Sequence, residues 1–300
     1  MRTCCISILE RLIQCARTRN SRKVHRRLKM TLRLLLLVVA VGLCSAQCPT
    51  GCSCSTTTIN CNRINSLPSF SSPSVTRIQI DNINSSIHFN AFKAVPKLES
   101  IFIRNGNISF IASCAFGEIP AKSIGIVNVR IGVIGLGAFK DLHNVGRSIS
   151  IHNCQIGQIS SNAFYRLSNL TLLSLNSNNI STIQKYAFNK ITSGTSLNVF
   201  HNNITTINSY AFNFGPNVFS TYAFMTGGSI MNIGCQALNG LRTITYPTLR
   251  CDCDLVPLVQ SPIYLGRVNC FSQSQLHDVI SGSINNCTKP TLREPGYCVF

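Results

Sequence analysis

Cysteine thiols are the groups in this sequence whose number and spacing most clearly point to chemistry, with 16 cysteines among 300 residues. Eight of them form two tight groups with the spacings Cx3CxCx6C and CxCx16Cx16C, namely Cys48, Cys52, Cys54 and Cys61, then Cys251, Cys253, Cys270 and Cys287. Clustered thiols either bind a metal ion such as zinc or pair as disulfides, and an oxidising compartment favours disulfides. Spacing alone leaves three connectivities open in each group of four.

Residues for catalysis or metal binding are scarce. Beyond Ala46 the chain has only eight acidic residues, scattered along its length, whereas an active site needs a convergent acid, base or nucleophile. His152 and His201 are expected on one face, about 10 Å apart, but the pattern supplies no nearby acid and no third metal ligand. Neither a phosphate-binding glycine loop nor a GxSxG motif occurs. The sequence therefore predicts a protein without enzymatic activity, cofactor or metal.

Residues 1–46 have the composition of a targeting segment. A basic stretch precedes the apolar run from Leu34 to Leu43 and the small residues Cys44 and Ala46, which predicts a secretory signal cut before Gln47. A membrane anchor is the weaker alternative, because a spanning helix needs about 20 apolar residues. Met30 alone would begin a signal of ordinary length, so residues 1–29 are interpreted as an upstream extension or gene-model artefact.

Charge and sequons fit the same compartment. Residues 1–46 hold ten of the 27 basic and one of the nine acidic residues, which leaves 17 − 8 = +9 instead of +18. No second apolar run of spanning length and no glycolipid-anchor tail follow, so a soluble secreted protein is expected. Nucleic acid is not expected as a partner, because no recognised module occurs. Six N-glycosylation sequons are present, at Asn84, Asn107, Asn169, Asn179, Asn203 and Asn286.

A repeat positions most of these groups. Leu173 to Phe188 reads LSLNSNNISTIQKYAF, or LxLxxNxIxxI with Phe five residues later, and one such unit cannot bury its own apolar side. Copies are marked by Phe92, Phe116, Phe139, Phe164, Phe188, Phe212 and Leu238, separated by 24, 23, 25, 24, 24 and 26 residues. The same frame gives Ile101, Ile103, Ile108 and Ile111; Ile124, Ile126, Ile131 and Ile134; Ile149, Ile151, Ile156 and Ile159; and Leu197, Val199, Ile204 and Ile207. The first copy, with Ile78, Ile80 and Ile87, carries a one-residue irregularity.

This pattern resembles the leucine-rich repeat family in its 24-residue extracellular form, with isoleucine replacing many leucines. The resemblance implies an α/β solenoid, a horseshoe with a parallel concave sheet, about seven to eight repeats and a disulfide-bonded cap at each end. The expected segments are the signal region 1–46, an N-terminal cap 47–74, repeats 75–249, and a C-terminal cap and tail 250–300. Each repeat is expected to hold a short strand and then a loop or a turn of helix. The frame residues and the Phe column are predicted core.

The resemblance also implies a pairing of the cap cysteines, first with third and second with fourth. It gives Cys48–Cys54, Cys52–Cys61, Cys251–Cys270 and Cys253–Cys287. Cys154 occupies the position of Asn178 in its own repeat, where a buried side chain faces backbone of the neighbouring turn. Cys114 and Cys235 are expected on the rear surface, too far apart to bond. Cys298 is expected to pair with Cys235 or with another chain.

Strand side chains alternate, so the variable positions of the repeat should line the concave face in three columns. The partner-binding candidates among them are Phe102, Arg104, His152, Asn176, Phe200, His201 and Phe224, with Tyr222 beside Phe224 on its strand. The face is neutral and rich in amides and hydroxyls, and Ser174, Asn176 and Ser177 belong to the free positions. An aromatic cluster at Phe200, Tyr222 and Phe224 suits a protein-binding patch, the alternative being scattered surface aromatics.

Two further features are predicted outside the concave face. Lys93, Lys140, Arg166 and Lys190 follow the Phe marker by one or two residues, so stacking should align them in a basic ridge, unless they form an ordinary solvated face. The position that Asn178 holds in its repeat is called the ladder position. In their own repeats, Asn107, Asn179 and Asn203 each come directly after it, so they should share one edge. The preferred function is a secreted recognition module that binds a protein or glycoprotein through the concave face. The alternative is a matrix or adhesion component held to sulfated glycans by the ridge.

Overall fold

The computed structural model describes residues 48–142, 147–168, 170–192, 196–199, 201–214, 229–230, 232–234 and 237, and the pairs 243–244, 248–249, 264–265 and 269–270. The chain divides into two units, residues 1–47 and 48–300, and all described residues lie in the second. None of its described elements is a helix of the length and hydrophobicity that a bilayer span requires.

The described elements are strands. In chain order they are β1 (Cys52–Cys54), β2 (Thr58–Asn62), β3 (Arg77–Asn84), β4 (Ser100–Ile111), β5 (Ser123–Ile134), β6 (Phe139–Lys140), β7 (Arg147–His152), β8 (Gln155–Ile159), β9 (Phe164–Tyr165), β10 (Leu170–Asn176), β11 (Asn179–Ile183), β12 (Phe188–Asn189), β13 (Ser196–Asn198), β14 (Asn203–Ile207), β15 (Phe212–Asn213), β16 (Ser229–Ile230), β17 (Asn232–Ile233), β18 (Thr243–Ile244), β19 (Thr248–Leu249), β20 (Tyr264–Leu265) and β21 (Asn269–Cys270).

Successive turns of the chain build three parallel sheets, of which the rear one begins only in turn 3. The front sheet, which corresponds to the predicted concave face, runs from the first halves of β3, β4 and β5 into β7, β10 and β13. The side sheet continues from the second halves of β4 and β5 into β8, β11, β14 and β17, and the rear sheet contains β6, β9, β12 and β15. Turns 1 to 6 begin at β3, β4, β5, β7, β10 and β13. They make about five complete turns and part of a sixth.

The prediction of an α/β solenoid is wrong for the described residues, which contain strands and turns but no helix. The rear segments are too short for a helical turn, because four residues separate Ile183 from Phe188 and one of them turns a corner. Their backbone groups bond instead to the next turn, as Phe164 N–H does to the Ala187 carbonyl at 3.0 Å. The count of seven to eight repeats remains a prediction, as do the segment boundaries.

Left-handed backbone conformations form the corners between the sheets. The front corner has φ values of 53° to 59° at Asn82, Asn105, Asn128, Asn153, Ser177 and His201. A second column lies two residues before each Phe, at Asn90, Cys114, Gly137, Asn162, Tyr186 and Tyr210, and a third two residues after it, at Glu118, Asp141, Arg166 and Lys190. Asparagine tolerates this conformation better than most residues. The repeat marker x-Ala-Phe therefore records a corner followed by a core residue.

The core consists of the predicted frame residues and a continuous stack of phenylalanine rings. Phe92, Phe116, Phe139, Phe164, Phe188 and Phe212 are buried, with neighbouring centroids 4.7 to 5.2 Å apart. The stack begins one ring earlier than predicted, because Phe70 lies 5.5 Å from Phe92. The predicted inward direction of the frame and of this column is confirmed.

The ladder position differs between the first and last described turns. In turns 5 and 6 it holds Asn178 and Asn202, whose side-chain oxygens accept from the backbone N–H groups of Cys154 and Asn178, each at 2.8 Å. Their amide groups donate to the carbonyls of the preceding turn, as Asn178 does to Ile151 at 2.9 Å. In turns 2 and 3 it holds Gly106 and Val129, and there the backbones pair directly. Consequently β4 and β5 run unbroken through the corner, whereas strands in later turns are split.

Candidate functional site

The front sheet presents two columns of outward side chains in register. One column contains Gln79, Phe102, Gly125, Ser150, Ser174 and Asn198, and the other contains Asp81, Arg104, Val127, His152 and Asn176. This alignment is the one that the repeat predicts. The predicted aromatic cluster of Phe200, Tyr222 and Phe224 lies outside the described residues, so the candidate site rests on the earlier turns.

The predicted third column lies at the front corner, where β3, β4 and β5 turn and where the later front strands have ended. Its members from Asn82 to His201 are the left-handed residues of the front corner. Asparagine recurs there because its short polar side chain tolerates positive φ, so the amide-rich composition reflects backbone geometry rather than recognition. Ser177 and His201 are exposed at this corner. They border the front sheet instead of lining it.

Burial also corrects the predicted recognition surface. Ser174 is only 1% exposed, because its short side chain lies between the larger, partly exposed Leu172, Asn176 and Asn198. Its role as a contact residue is therefore excluded in this conformation. Gly125 is buried under the ring of Phe102, and a Cβ at this glycine would lie 2.7 Å from that ring. Phe102 itself remains 37% exposed.

A charged cluster adjoins Phe102. Arg104 Nε lies 2.9 Å from Asp81 Oδ2, and Asn105 Nδ2 donates to Asp81 Oδ1 at 2.9 Å. The Asn105 hydrogen bond is the largest cause that holds the pKa of Asp81 below its ordinary value; burial opposes it, and the hydrogen bond and charge of Arg104 lower the pKa further. Asp81 is therefore ionised at neutral pH and fixes the orientation of Arg104 across adjacent strands. Phe102 and Arg104 extend from the same strand, two residues apart.

His152 and Cys154 are two titratable groups of turn 4 that lie at or next to the front sheet. Burial lowers the pKa of His152, so this imidazole is neutral at physiological pH. Burial raises the pKa of the Cys154 thiol to about 11, and its Sγ lies 3.2 Å from the carbonyl oxygen of His152. Cys154 is thus an inert thiol at the ladder position, as predicted. The described residues contain no group of three His, Cys, Asp or Glu side chains suited to a metal ion.

The predicted basic ridge does not form a single line. Lys140 pairs with Tyr165 in the rear sheet, whereas Arg166 and Lys190 lie in the next column, together with Glu118 and Asp141. Lys93 lies 3.2 Å from Glu118, and Asp141 lies 3.2 Å from Arg166 and 3.9 Å from Lys140. The alignment prediction is wrong because the four basic residues fall in two neighbouring columns, and the column two residues after the Phe marker also contains two acids.

The sequons share an edge that is larger than predicted. The strand register aligns Asn84, Asn107, Arg130, Gln155, Asn179 and Asn203 at the start of the side sheet, and all six are exposed. Asn84 was missed because the first copy is irregular. Asn84 pairs with Asn107, 23 residues later, whereas Ile87 bridges to Ile111, 24 residues later. The first copy is therefore one residue shorter than the second, and the deletion lies between Asn84 and Ile87. The sequon residues Asn169 and Asn286 lie outside the described residues. Glycosylation of the six sequons remains a prediction.

The N-terminal cysteines pair as predicted, Cys48 with Cys54 and Cys52 with Cys61. The second disulfide joins β1 to β2, and β2 pairs with β3 at the start of the solenoid. Cys114 is a partly exposed free thiol and Cys154 a buried one. Of the predicted C-terminal pairs, Cys251, Cys253 and Cys287 lie outside the described residues, as do Cys235 and Cys298, so these pairings remain predictions.

Exposed hydrophobic groups that the repeat did not predict lie in turns 1 to 3. Phe89, Phe110 and Leu136 are 60%, 42% and 57% exposed. Phe110 is on the same strand as Phe102 but in its side-sheet half, and its ring lies over Gly135. The repeat pattern specifies only the inward frame positions. The one signal in the sequence for Phe89, Phe110 and Leu136 is that these large hydrophobic residues lie outside the frame.

Two family models match this chain. One, a leucine rich repeat, matches residues 147–204, and the other, a BspA type leucine rich repeat region of six copies, matches residues 62–153. Together the two matches span residues 62–204, and this part of the chain is therefore similar to leucine-rich repeat proteins. No curated protein matches it significantly. A solved structure, titled an octameric complex of Latrophilin 3 (Lec, Olf), Unc5D (Ig, Ig2, TSP1) and FLRT2 (LRR), is 13% identical over 74% of this chain and 93% of that chain, with a TM-score of 0.27.

Proposed function

We propose that this protein is a secreted, non-catalytic recognition module whose front sheet binds an extracellular protein or glycoprotein. Leucine-rich repeat arrays stack short units into one extended surface, which suits protein binding better than a cleft for a small substrate. The signal-like segment, the N-terminal disulfides and the aligned sequons support an extracellular site of action. Secretion is tested by expressing the full chain and measuring site occupancy by mass spectrometry.

One observation carries the choice of surface, the exposed Phe102 ring beside the oriented Arg104 of the same strand. Interfaces are anchored by a few aromatic and arginine side chains surrounded by small polar ones. On the front sheet the neighbouring positions are Gly125, Ser150 and Val127, which leave room for a partner to approach. The fixed guanidinium offers donors to a carboxylate or carbonyl on that partner.

The test exploits two phenylalanines on β4 with similar exposure. The full chain is screened against an array of individually displayed secreted and cell-surface ectodomains, as wild type, as Phe102→Ser/Arg104→Ser and as Phe110→Ser. The front-sheet variant is expected to bind its partners at least about tenfold more weakly, since anchors commonly contribute more than 2 kcal/mol. The Phe110→Ser control is expected to bind like wild type. Equal binding by both variants would remove Phe102 and Arg104 as the anchors, and a loss confined to Phe110→Ser would overturn the front-sheet proposal.

A further variant addresses the aromatic cluster predicted from sequence. Phe200→Ser/Tyr222→Ser/Phe224→Ser removes the second set of front-sheet candidates without changing the charge. If binding depends on this set and not on Phe102, the partner engages the later turns instead. If substitution of neither set weakens partner binding, the front sheet is not the binding surface.

A further inference from the structure

Charge is unevenly distributed along the solenoid. The acids of the first turns each have a basic partner, with Asp81–Arg104 at 2.9 Å, Glu99–Lys122 at 3.5 Å and Glu118–Lys93 at 3.2 Å. After Asp141 the sequence contains no Asp or Glu until Asp252, although it contains several Lys and Arg residues. The later turns therefore carry basic groups that no acid of their own neutralises.

Two of these basic groups are held by aromatic rings on the rear side. Lys185 Nζ lies 5.0 Å from the Tyr186 centroid and 5.3 Å from the Tyr210 centroid. Lys190 Nζ lies 5.7 Å from the Tyr165 centroid. Neither ammonium group has an ion pair within the described part of the chain. A ring face orients an ammonium group without cancelling its charge, so both remain available to an external anion.

Arg166 extends the same arrangement. Its guanidinium carbon lies 6.0 Å from the Tyr165 centroid, while its Nε lies 3.2 Å from Asp141. We name Tyr165, Arg166, Lys185, Tyr186, Lys190 and Tyr210 the rear cluster. All six side chains are exposed or partly exposed.

Amide groups run across the rear face between these basic groups. Asn189 Nδ2 donates to Asn162 Oδ1 at 2.7 Å, and Asn213 Nδ2 donates to Asn189 Oδ1 at 2.9 Å. Asn189 and Asn213 belong to the rear strands, next to Tyr165 in register. The face thus presents a continuous polar row over three successive turns.

The rear cluster lacks the apolar centre that a protein partner would use. The exposed large hydrophobic residues of the described chain are Phe89, Phe102, Phe110 and Leu136, all in turns 1 to 3. A protein interface normally has a desolvated apolar core inside a polar rim. A polar, cationic and aromatic face fits a hydroxyl-rich polyanion better.

We propose that the rear cluster binds a linear sulfated polysaccharide, with Lys185, Lys190 and Arg166 contacting sulfate groups. Charged donors form strong hydrogen bonds to such oxyanions, and an extended chain matches groups repeated along the solenoid. This inference goes beyond the proposed function, since it concerns the rear sheet rather than the front sheet. It keeps Arg166 and Lys190 of the predicted ridge and adds Lys185. It leaves out Lys93 and Lys140, which lie near Glu118 and Asp141 and are not held over a tyrosine ring.

The test measures heparin oligosaccharide binding to the full chain by titration at several salt concentrations. Lys185→Ala/Lys190→Ala is compared with Lys93→Ala/Lys122→Ala, which removes the same charge from lysines paired with Glu118 and Glu99. The rear variant is expected to bind about tenfold more weakly with a smaller salt dependence, because fewer counterions are released. The paired-lysine control is expected to change less than about twofold. Equal losses in both variants would show that only net charge matters and would overturn the proposal.

A second arm tests the rings and the class of anion. Tyr186→Phe/Tyr210→Phe keeps the ring faces and should retain binding, whereas Tyr186→Ala/Tyr210→Ala should weaken it, with both checked for unchanged unfolding. Desulfated heparin and poly-glutamate are the comparison probes. Poly-glutamate binding as tight as that of heparin, with the same dependence on Lys185 and Lys190, would assign the face to acidic peptides and refute the polysaccharide.

Discussion

Turns 1 to 3 and turns 4 to 6 build the same three-sided cross-section with different chemistry. In the earlier turns Gly106 and Val129 occupy the ladder position, and β4 and β5 continue through the front corner by direct backbone pairing. In the later turns Asn178 and Asn202 bridge the backbones with their amides, and each strand breaks there. The corner needs its polar backbone groups satisfied, and either a neighbouring backbone or a buried amide can do so.

The two regions differ equally at the surface. The earlier turns have paired charges and exposed hydrophobic residues, whereas the later described turns have tyrosine-held lysines and amides. A repeat fold can therefore divide two recognition tasks along one solenoid, since the frame constrains only inward residues. The proposed protein-binding and polysaccharide-binding surfaces follow this division.

The largest expected effect is a loss of folding stability when a ring is removed from the phenylalanine stack that the two regions share. Phe116→Ala in turn 2 and Phe188→Ala in turn 5 each remove a fully buried ring from the common stack. Each is expected to lower the free energy of unfolding by about 3–5 kcal/mol. Urea denaturation of the two variants should give similar losses. A difference above about 2 kcal/mol would mean that the stack is not equally important in both regions.

A smaller effect should separate the regions at the ladder position. Asn178→Leu leaves the Cys154 N–H and the Ile151 carbonyl without their partners and is expected to cost about 2–3 kcal/mol. The reciprocal Val129→Asn places an amide where the backbones already pair, and should cost about 1–3 kcal/mol. Both are measured by urea denaturation. If Val129→Asn proved neutral or stabilising, asparagine at this position would be tolerated in the early turns as well as in the later ones. The proposed difference between the two regions at the ladder position would then be refuted.

The smallest effect is a different pH response of the two regions. Both Asp81 and His152 have lowered pKa values in the folded state, so each contributes stability at high pH that is lost on acidification. For His152 the loss begins below its ordinary value of 6.5, and for Asp81 only below 3.8. After allowance for solvent screening each effect should be under about 1 kcal/mol.

Amide hydrogen exchange, corrected for intrinsic rates, distinguishes these windows. Between pH 7 and pH 5 protection should fall in turn 4 but not around β3 and β4, and His152→Gln should remove that change. Below pH 4 protection near β3 should fall, and Asp81→Asn should remove the dependence. Uniform loss throughout the solenoid at pH 5 would contradict the regional assignment.

Much of the scaffold is predictable from sequence. The markers and frame from Ile101 to Ile207 locate the buried residues, and the family resemblance gives the N-terminal disulfide pairs correctly. The turn of helix is wrong because the sequence does not reveal that the short rear segments pair as strands. Ser174 fails as a surface residue because its exposure depends on Asn198 and Leu172 beside it. The basic ridge fails because two columns one residue apart were treated as one.

The sequence by itself determines which residues face inward, because burial of an apolar side at every turn imposes the repeat. Only the tertiary structure decides which outward groups meet. Lys185 lies over the ring of Tyr210, and Asn84 pairs with Asn107 in the strand register. Each contact joins neighbouring turns, and the lengths of the turns differ by a residue or two. A one-residue shift between turns moves a side chain to another column, so contacts across turns depend on a register that the repeat pattern alone does not specify.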